Sequence, residues 1–114
     1  MTPIHHINKL DKHNALRYYT GVIKTYGNKE TEKLFQREKS RSFPPDIIRK
    51  ARMKLEILDA AEKLDDLKVP PGNRLEELSG DRAGQHSIRI NQQWRICFRW
   101  KDDACFDVEI VDYH

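Results

Sequence analysis

The chain has 114 residues, 38% apolar, 34% charged and 9% aromatic, enough for one compact domain with one core and too little for two. No run approaches the roughly 18 apolar residues of a membrane span and no apolar signal core opens the sequence, so the expectation is a cytoplasmic chain without membrane contact. The net charge of +3, from 21 Lys and Arg against 18 Asp and Glu, excludes a strong bulk pull toward nucleic acid.

Residues 1–21 show no clean period, are punctuated by Pro3 and Gly21, and hold three of the five histidines. They read as an N-terminal tail, flexible or outside the folded domain, which is set at 22–114. His5, His6 and His13 lack an acid or thiol at ligand spacing, so no metal is expected there. Cys97 and Cys105, the only cysteines, have no C-x-x-C spacing and are expected as buried free thiols. With 94–100 and 105–111 paired, Cys97 is expected to face the neighbourhood of Val108.

Residues 22–26, VIKTY, form a short β-prone run ended by Gly27-Asn28. Asn28 suits the cap of a helix over 28–39, whose first turn carries Glu30 and Glu32, the sign the helix dipole favours there. Pro44 and Pro45 suit the start of a second helix over 45–65, with Ile48, Ala51, Leu55 and Leu58 at helical spacing. KVPPGN ends it.

The rest reads as β. Side chains alternate along a strand, so 86–91 places Ile88 and Ile90 on one face and Ser87, Arg89 and Asn91 on the other. Over 94–100, Trp94, Ile96, Phe98 and Trp100 oppose Arg95, Cys97 and Arg99. After the turn at 101–104, Phe106, Val108 and Ile110 are assigned to the core face. The two tryptophans therefore read as packing, not as stacking platforms for bases. The expected class is α+β, with an N-terminal strand and two helices on one face of an antiparallel sheet.

Residues 82–101 hold Arg82, Arg89, Arg95, Arg99 and Lys101 and no acid, a charge of +5 that leaves −2 for the other 94 residues. Alternation gathers Arg89, Arg95 and Arg99 on the face away from the aromatic core, beside Ser87, Asn91 and Gln93. Arginine forks bind phosphate bidentately, so this pattern suits an anionic partner. The bland alternative is a solvated strand face whose arginines pair with acids from elsewhere. Asp112, Tyr113 and His114 follow the last strand beside this face and add a phenol and an imidazole that titrates near neutral pH, with the carboxylate of the last residue favouring its charged form.

The stretches GDRAGQHSIRINQQWRICFRW (80–100) and DVEIVDYH (107–114) resemble the HigB branch of the RelE/ParE toxin superfamily, and the resemblance covers about residues 22–114. It implies a small RelE-like fold and a type II toxin that enters the ribosomal A site and cleaves the mRNA there without metal or cofactor. It also implies a HigA-like helix-turn-helix antitoxin, with operator DNA contacted only through that partner.

Metal-free RNA cleavage needs a base for the ribose 2′-OH, a cation for the phosphorane and an acid for the leaving oxygen. By the resemblance, Arg95 is the transition-state cation and His114 the general acid or a phosphate-positioning group, with Tyr113 and Asp112 assisting. Glu76 is the base candidate, and Glu77 and His86 stay open for that role. Arg82, Arg89, Arg99, His86, Asn91 and Lys101 are assigned to RNA binding. Some HigB relatives carry His near position 76 and Lys near 79, where this chain has Glu76 and Ser79. Two alternatives follow: a ParE-like inhibitor of DNA gyrase, and a catalytically degenerate toxin kept as a co-repressor.

Overall fold

A computed structural model describes residues 6–10, 16–19 and 21–113. In chain order its α-helices and strands, among the described residues, are β1 (His6–Leu10), β2 (Leu16–Tyr19), α1 (Lys29–Phe35), α2 (Pro45–Ala60), β3 (Glu76–Glu77), β4 (His86–Arg89), β5 (Trp94–Lys101) and β6 (Ala104–Asp112). Strands β3 to β6 form one antiparallel meander in chain order. Strands β1 and β2 pair as a separate antiparallel hairpin, where the sequence reading assigned only a tail.

The 22–26 run adds to the edge of β6, in parallel and not antiparallel, through Ile23 with Cys105 and Tyr26 with Val108. Asn28 caps α1 as its side chain predicts, accepting from the Thr31 N–H at 2.9 Å. The helix stops at Phe35, four residues before the expected end. The Glu38 N–H donates to the Lys33 carbonyl and the Arg37 N–H to that of Leu34, with Arg37 at φ 62°. This is a Schellman ending with arginine where glycine is usual, so no sequence signal announced it. Helix α2 likewise stops at Ala60, short of the expected residue 65. A 3-10 turn over Leu64–Lys68 takes its place, and Asp66 Oδ2 accepts from the Glu62 and Lys63 N–H groups.

The apolar stripe of α2, Ile47, Ala51, Leu55 and Leu58, packs on Ile88, Ile90, Ile96, Phe98, Val108 and Ile110 of the sheet. Trp94 and Trp100 flank this core, and Trp94 meets Phe43 edge to face at 5.9 Å. The packing reading of both tryptophans stands. No described helix is long and apolar enough to cross a membrane.

The predicted alternation of β6 breaks at its start. A register shift lies between Cys97 and Arg99, opposite Asp107, whose φ is 55°. This bulge puts two residues of β6 against one of β5 and reverses its phase. Cys105 therefore enters the core with Val108 and Ile110, and Phe106 is only partly buried. Cys97 pairs with Glu109 and not with Val108. Both thiols are buried and free.

Candidate active site

The meander's register decides which side chains share the face turned away from the helices. Directly opposed residues lie on the same side, and the pairs Glu76 with Ser87, Ser87 with Cys97, and Cys97 with Glu109 make one row across four strands. Arg89, Arg95 and Val111 make the next. The expected segregation of Ser87, Arg89, Arg95 and Cys97 from the apolar face is thus observed.

Arg95 is the centre of this face. It is only 9% exposed, and its Nε donates to Ser87 Oγ at 2.7 Å. One terminal nitrogen, Nη2, donates to the Arg74 carbonyl at 2.7 Å and lies 3.7 Å from Glu76 Oε1. The Tyr113 ring sits 5.5 Å from the guanidinium carbon, within cation–π range. Nη1 has no hydrogen-bond partner among the described residues and is left to meet an anion. A cation held by two neutral oxygens and one partly solvated carboxylate keeps its charge in a fixed orientation, as stabilising a transition-state phosphate demands.

The same register separates the base candidates. Glu76 stands on the Arg95 face, in the adjacent row, with its side chain 51% exposed. Glu77 pairs with His86, and His86 with Phe98, which places both on the helix side. The His86 ring stacks on Phe98 with centroids 6.2 Å apart, and its Nδ1 is buried without a partner. One residue of alternation thus carries His86 away from Arg95, to the face of Phe98.

Asn91 Oδ1 accepts from the Gln93 and Trp94 N–H groups at 2.8 and 2.7 Å, so its side-chain oxygen shapes the β4–β5 turn. Asp112 pairs with Trp94 and accepts from Gln93 Nε2 at 3.1 Å, on the opposite side of the sheet from Arg95. Lys101 ends β5 at the far hairpin, six residues from Arg95 and so roughly 20 Å away along the strand. His5, His13 and His114 lie outside the described residues.

The arginine face also differs in charge from the sequence reading. Arg82 Nη1 meets Glu109 Oε1 at 3.0 Å and Gln85 Oε1 at 3.0 Å. Arg99 Nε lies 3.4 Å from Asp107 Oδ2, and Arg89 Nε donates to the Asn91 carbonyl at 3.1 Å. Acids from β3 and β6 thus balance three of the four arginines. In the floor, burial pushes the Cys97 thiol up, with Arg82 opposing and Glu109 adding, so it stays protonated and unreactive. Sequence reasoning missed the Arg74 carbonyl, since backbone orientation after Pro-Pro-Gly-Asn carries no residue-type signal.

Comparisons with known proteins agree with this geometry. The family model described as "RelE-like toxin of type II toxin-antitoxin system HigB" matches residues 24–114. Toxin HigB-1 of Vibrio cholerae serotype O1 is 44% identical over 83 residues, 72% of this chain and 87% of that protein. Endoribonuclease HigB of Proteus vulgaris is 27% identical over 93 residues, 82% of this chain and 100% of that protein. A chain of the YoeB-YefM complex from Staphylococcus aureus shares the fold with a TM-score of 0.51 at 16% identity, over 81% of this chain and 94% of its own. A buried, anchored arginine on the outer face of a four-stranded meander, and a family match across nearly all of the domain that carries it, lead to one conclusion: the chain belongs to the HigB-like family of RelE-like type II toxins.

Proposed function

We propose that this toxin is an endoribonuclease that cleaves mRNA in the ribosomal A site and so inhibits translation in the cytoplasm. The single observation that carries this reading is the anchored Arg95 with Glu76 at 3.7 Å and Tyr113 against its guanidinium. The endoribonuclease relative from Proteus vulgaris supports it.

Glu76 takes the proton of the ribose 2′-OH, whose oxygen attacks the adjacent phosphorus. Arg95 Nη1 faces the growing charge on the non-bridging oxygens. His114 gives a proton to the departing 5′ oxygen, leaving a 2′,3′-cyclic phosphate, and Tyr113 orients the phosphate. Side chains fill all three roles, so the sequence of steps calls on no metal.

Dependence on the ribosome is supported by the charge distribution. Arg82 and Arg99, near Arg95, are paired with Glu109 and Asp107, whereas residues 36–52 on the helix side hold Arg37, Lys39, Arg41, Arg49, Lys50 and Arg52 against Glu38 and Asp46, with Arg37 paired to Glu56. A basic surface remote from the chemistry suits docking on an RNA-rich particle that presents the message. As a type II toxin the chain has an antitoxin partner, for which a HigA-like helix-turn-helix protein is proposed, with operator DNA bound only through it. Residues 1–21 are proposed to lie outside the catalytic domain 22–114.

Primer extension on messages in a cell-free translation system tests the reading. Wild type should give ribosome-dependent cuts that persist in EDTA-treated toxin, and Arg95→Ala and Glu76→Gln should give none. Intact messages with falling gyrase-dependent supercoiling would establish ParE-like inhibition instead, and intact messages with operator repression alone would establish a degenerate co-repressor.

A further inference from the structure

The reading of Arg95 as the transition-state cation raises the question of what fixes its second anchor, the Arg74 carbonyl. Arg74 sits at φ 46° and ψ 55°, a left-handed conformation that costs a non-glycine residue roughly 1–2 kcal/mol. The turn holding it, Pro71–Asn73, is a single 3-10 turn with little stability of its own. Something outside the turn must hold it.

Behind it lies an unusual pair. Asn73 is fully buried and Lys54, on α2, is 5% exposed. Lys54 Nζ donates to Asn73 Oδ1, and Asn73 Nδ2 donates to the carbonyls of Leu67 and Val69 at 3.1 and 3.3 Å. The Asn73 side chain therefore ties the 3-10 turn to the segment before it, while Lys54 ties both to α2. Burial and the neighbouring Lys50 push the Lys54 ammonium down from its ordinary value of 10.5, so keeping a lysine here works against stability. A methionine of the same length would fill the space without that cost.

We propose that Lys54 and Asn73 are positioning residues for the reaction, forming with the Arg74 carbonyl a buried relay that orients the Arg95 guanidinium from the helix side of the molecule. The relay runs from Lys54 Nζ to Asn73 Oδ1, through one peptide to the Arg74 carbonyl, and from there to Arg95 Nη2. Neither residue reaches the substrate. This inference rests on the functional reading of Arg95 given above.

The test uses the full chain carrying Lys54→Met, Lys54→Gln and Asn73→Asp, with two readouts. One is single-turnover cleavage on programmed ribosomes; the other is the Arg95 Nε–H resonance, assigned by its loss in Arg95→Lys. Folded Lys54→Met should lose about 10- to 100-fold in kcat, the scale of a misplaced catalytic group, with KM within about twofold because Arg95 keeps its charge. Its Nε–H resonance should shift and exchange faster with solvent. Lys54→Gln, which keeps a donor toward Asn73, should recover most of both. Should Lys54→Met fail to fold, Asn73→Asp carries the same expectation, since it keeps the acceptor and loses both amide donations. Wild-type kcat with an unchanged Arg95 resonance in whichever variant folds overturns the relay. If wild type itself cleaves nothing while the resonance still responds to Lys54→Met, the functional reading fails and the positioning stands.

Discussion

Ser87→Ala isolates the other anchor of Arg95. Ser87 is fully buried, and its hydroxyl oxygen accepts from Arg95 Nε at 2.7 Å. Removing that oxygen leaves the N–H of a nearly buried cation without an acceptor, a loss of about 1.5–3 kcal/mol for a hydrogen bond to a charged group. For a domain of this size that lowers the unfolding midpoint by on the order of 10 °C. Catalysis should suffer differently. The guanidinium keeps its charge and its contact with the Arg74 carbonyl, so the variant loses orientation alone, about 10- to 100-fold in kcat. Arg95→Ala should lose more, about 100- to 1000-fold, because the charge itself is gone. Urea unfolding followed by tryptophan fluorescence, with single-turnover cleavage beside it, measures both. The decisive comparison is a double-mutant cycle. In an Arg95→Met background Ser87→Ala should cost less than about 0.5 kcal/mol, since no cationic N–H then remains to be satisfied. A full additive cost in that background would show that Ser87 stabilises the fold by another route, and the anchoring argument would fall.

Three further outcomes follow from the same geometry. The β5–β6 turn places Asp102 and Asp103 at φ 53° and 57°, so Asp102→Asn with Asp103→Gly should raise stability by about 1 kcal/mol without changing cleavage, and a lowered urea midpoint would contradict the turn assignment. Phe98→Ala, in the core, should cost about 3–5 kcal/mol, and Phe106→Ala clearly less because the Asp107 bulge turns it out; equal costs would contradict the bulge. Burial raises the Cys105 thiol above its ordinary 9.0, with Asp59 adding to the rise. Above about pH 9 the unfolded chain therefore sheds a proton the folded chain keeps, and stability falls as pH rises. Below that pH the thiol adds no slope. Cys105→Val should make the alkaline fall in urea midpoint shallower, and an unchanged slope would place the titration elsewhere.

The fold was legible wherever a residue type and its position say the same thing. Asn28 caps α1, the two prolines open α2, and the alternation through Ile88, Ile90, Ile96 and Phe98 identifies the buried face of the sheet. The misplacements have local physical causes. Arg37 and Asp107 adopt left-handed backbone angles that the sequence would signal only with glycine or asparagine, so the end of α1 and the bulge in β6 were invisible. The hairpin of β1 and β2 contains no clean alternation to announce it. The parallel pairing of 22–26 with β6 is a long-range choice that local patterns do not encode.

The candidate site was legible in the residues that carry charge, as far as their placement goes, and much less so in what surrounds them. Arg95 and Glu76 were both singled out, yet they lie 19 positions apart, and only the β3–β4–β5 register brings them together while sending Glu77 and His86 to the other side. The stretch of +5 read as a basic face because its counterions lie outside it: Glu76 on β3, and Asp107 and Glu109 on β6. Once the sheet closes, each is within reach of an arginine. This pairing changes what the face does. Balanced arginines attract RNA only weakly from a distance, and ion pairs already made must be exchanged before a phosphate is gripped. Arg95 escapes that exchange through Nη1, since its other nitrogens are occupied mainly by neutral oxygens. The face is thereby suited to recognising one positioned phosphate, and in the proposed reading capture of the RNA falls to the excess of cations on the helix side, of which Arg37 is paired with Glu56.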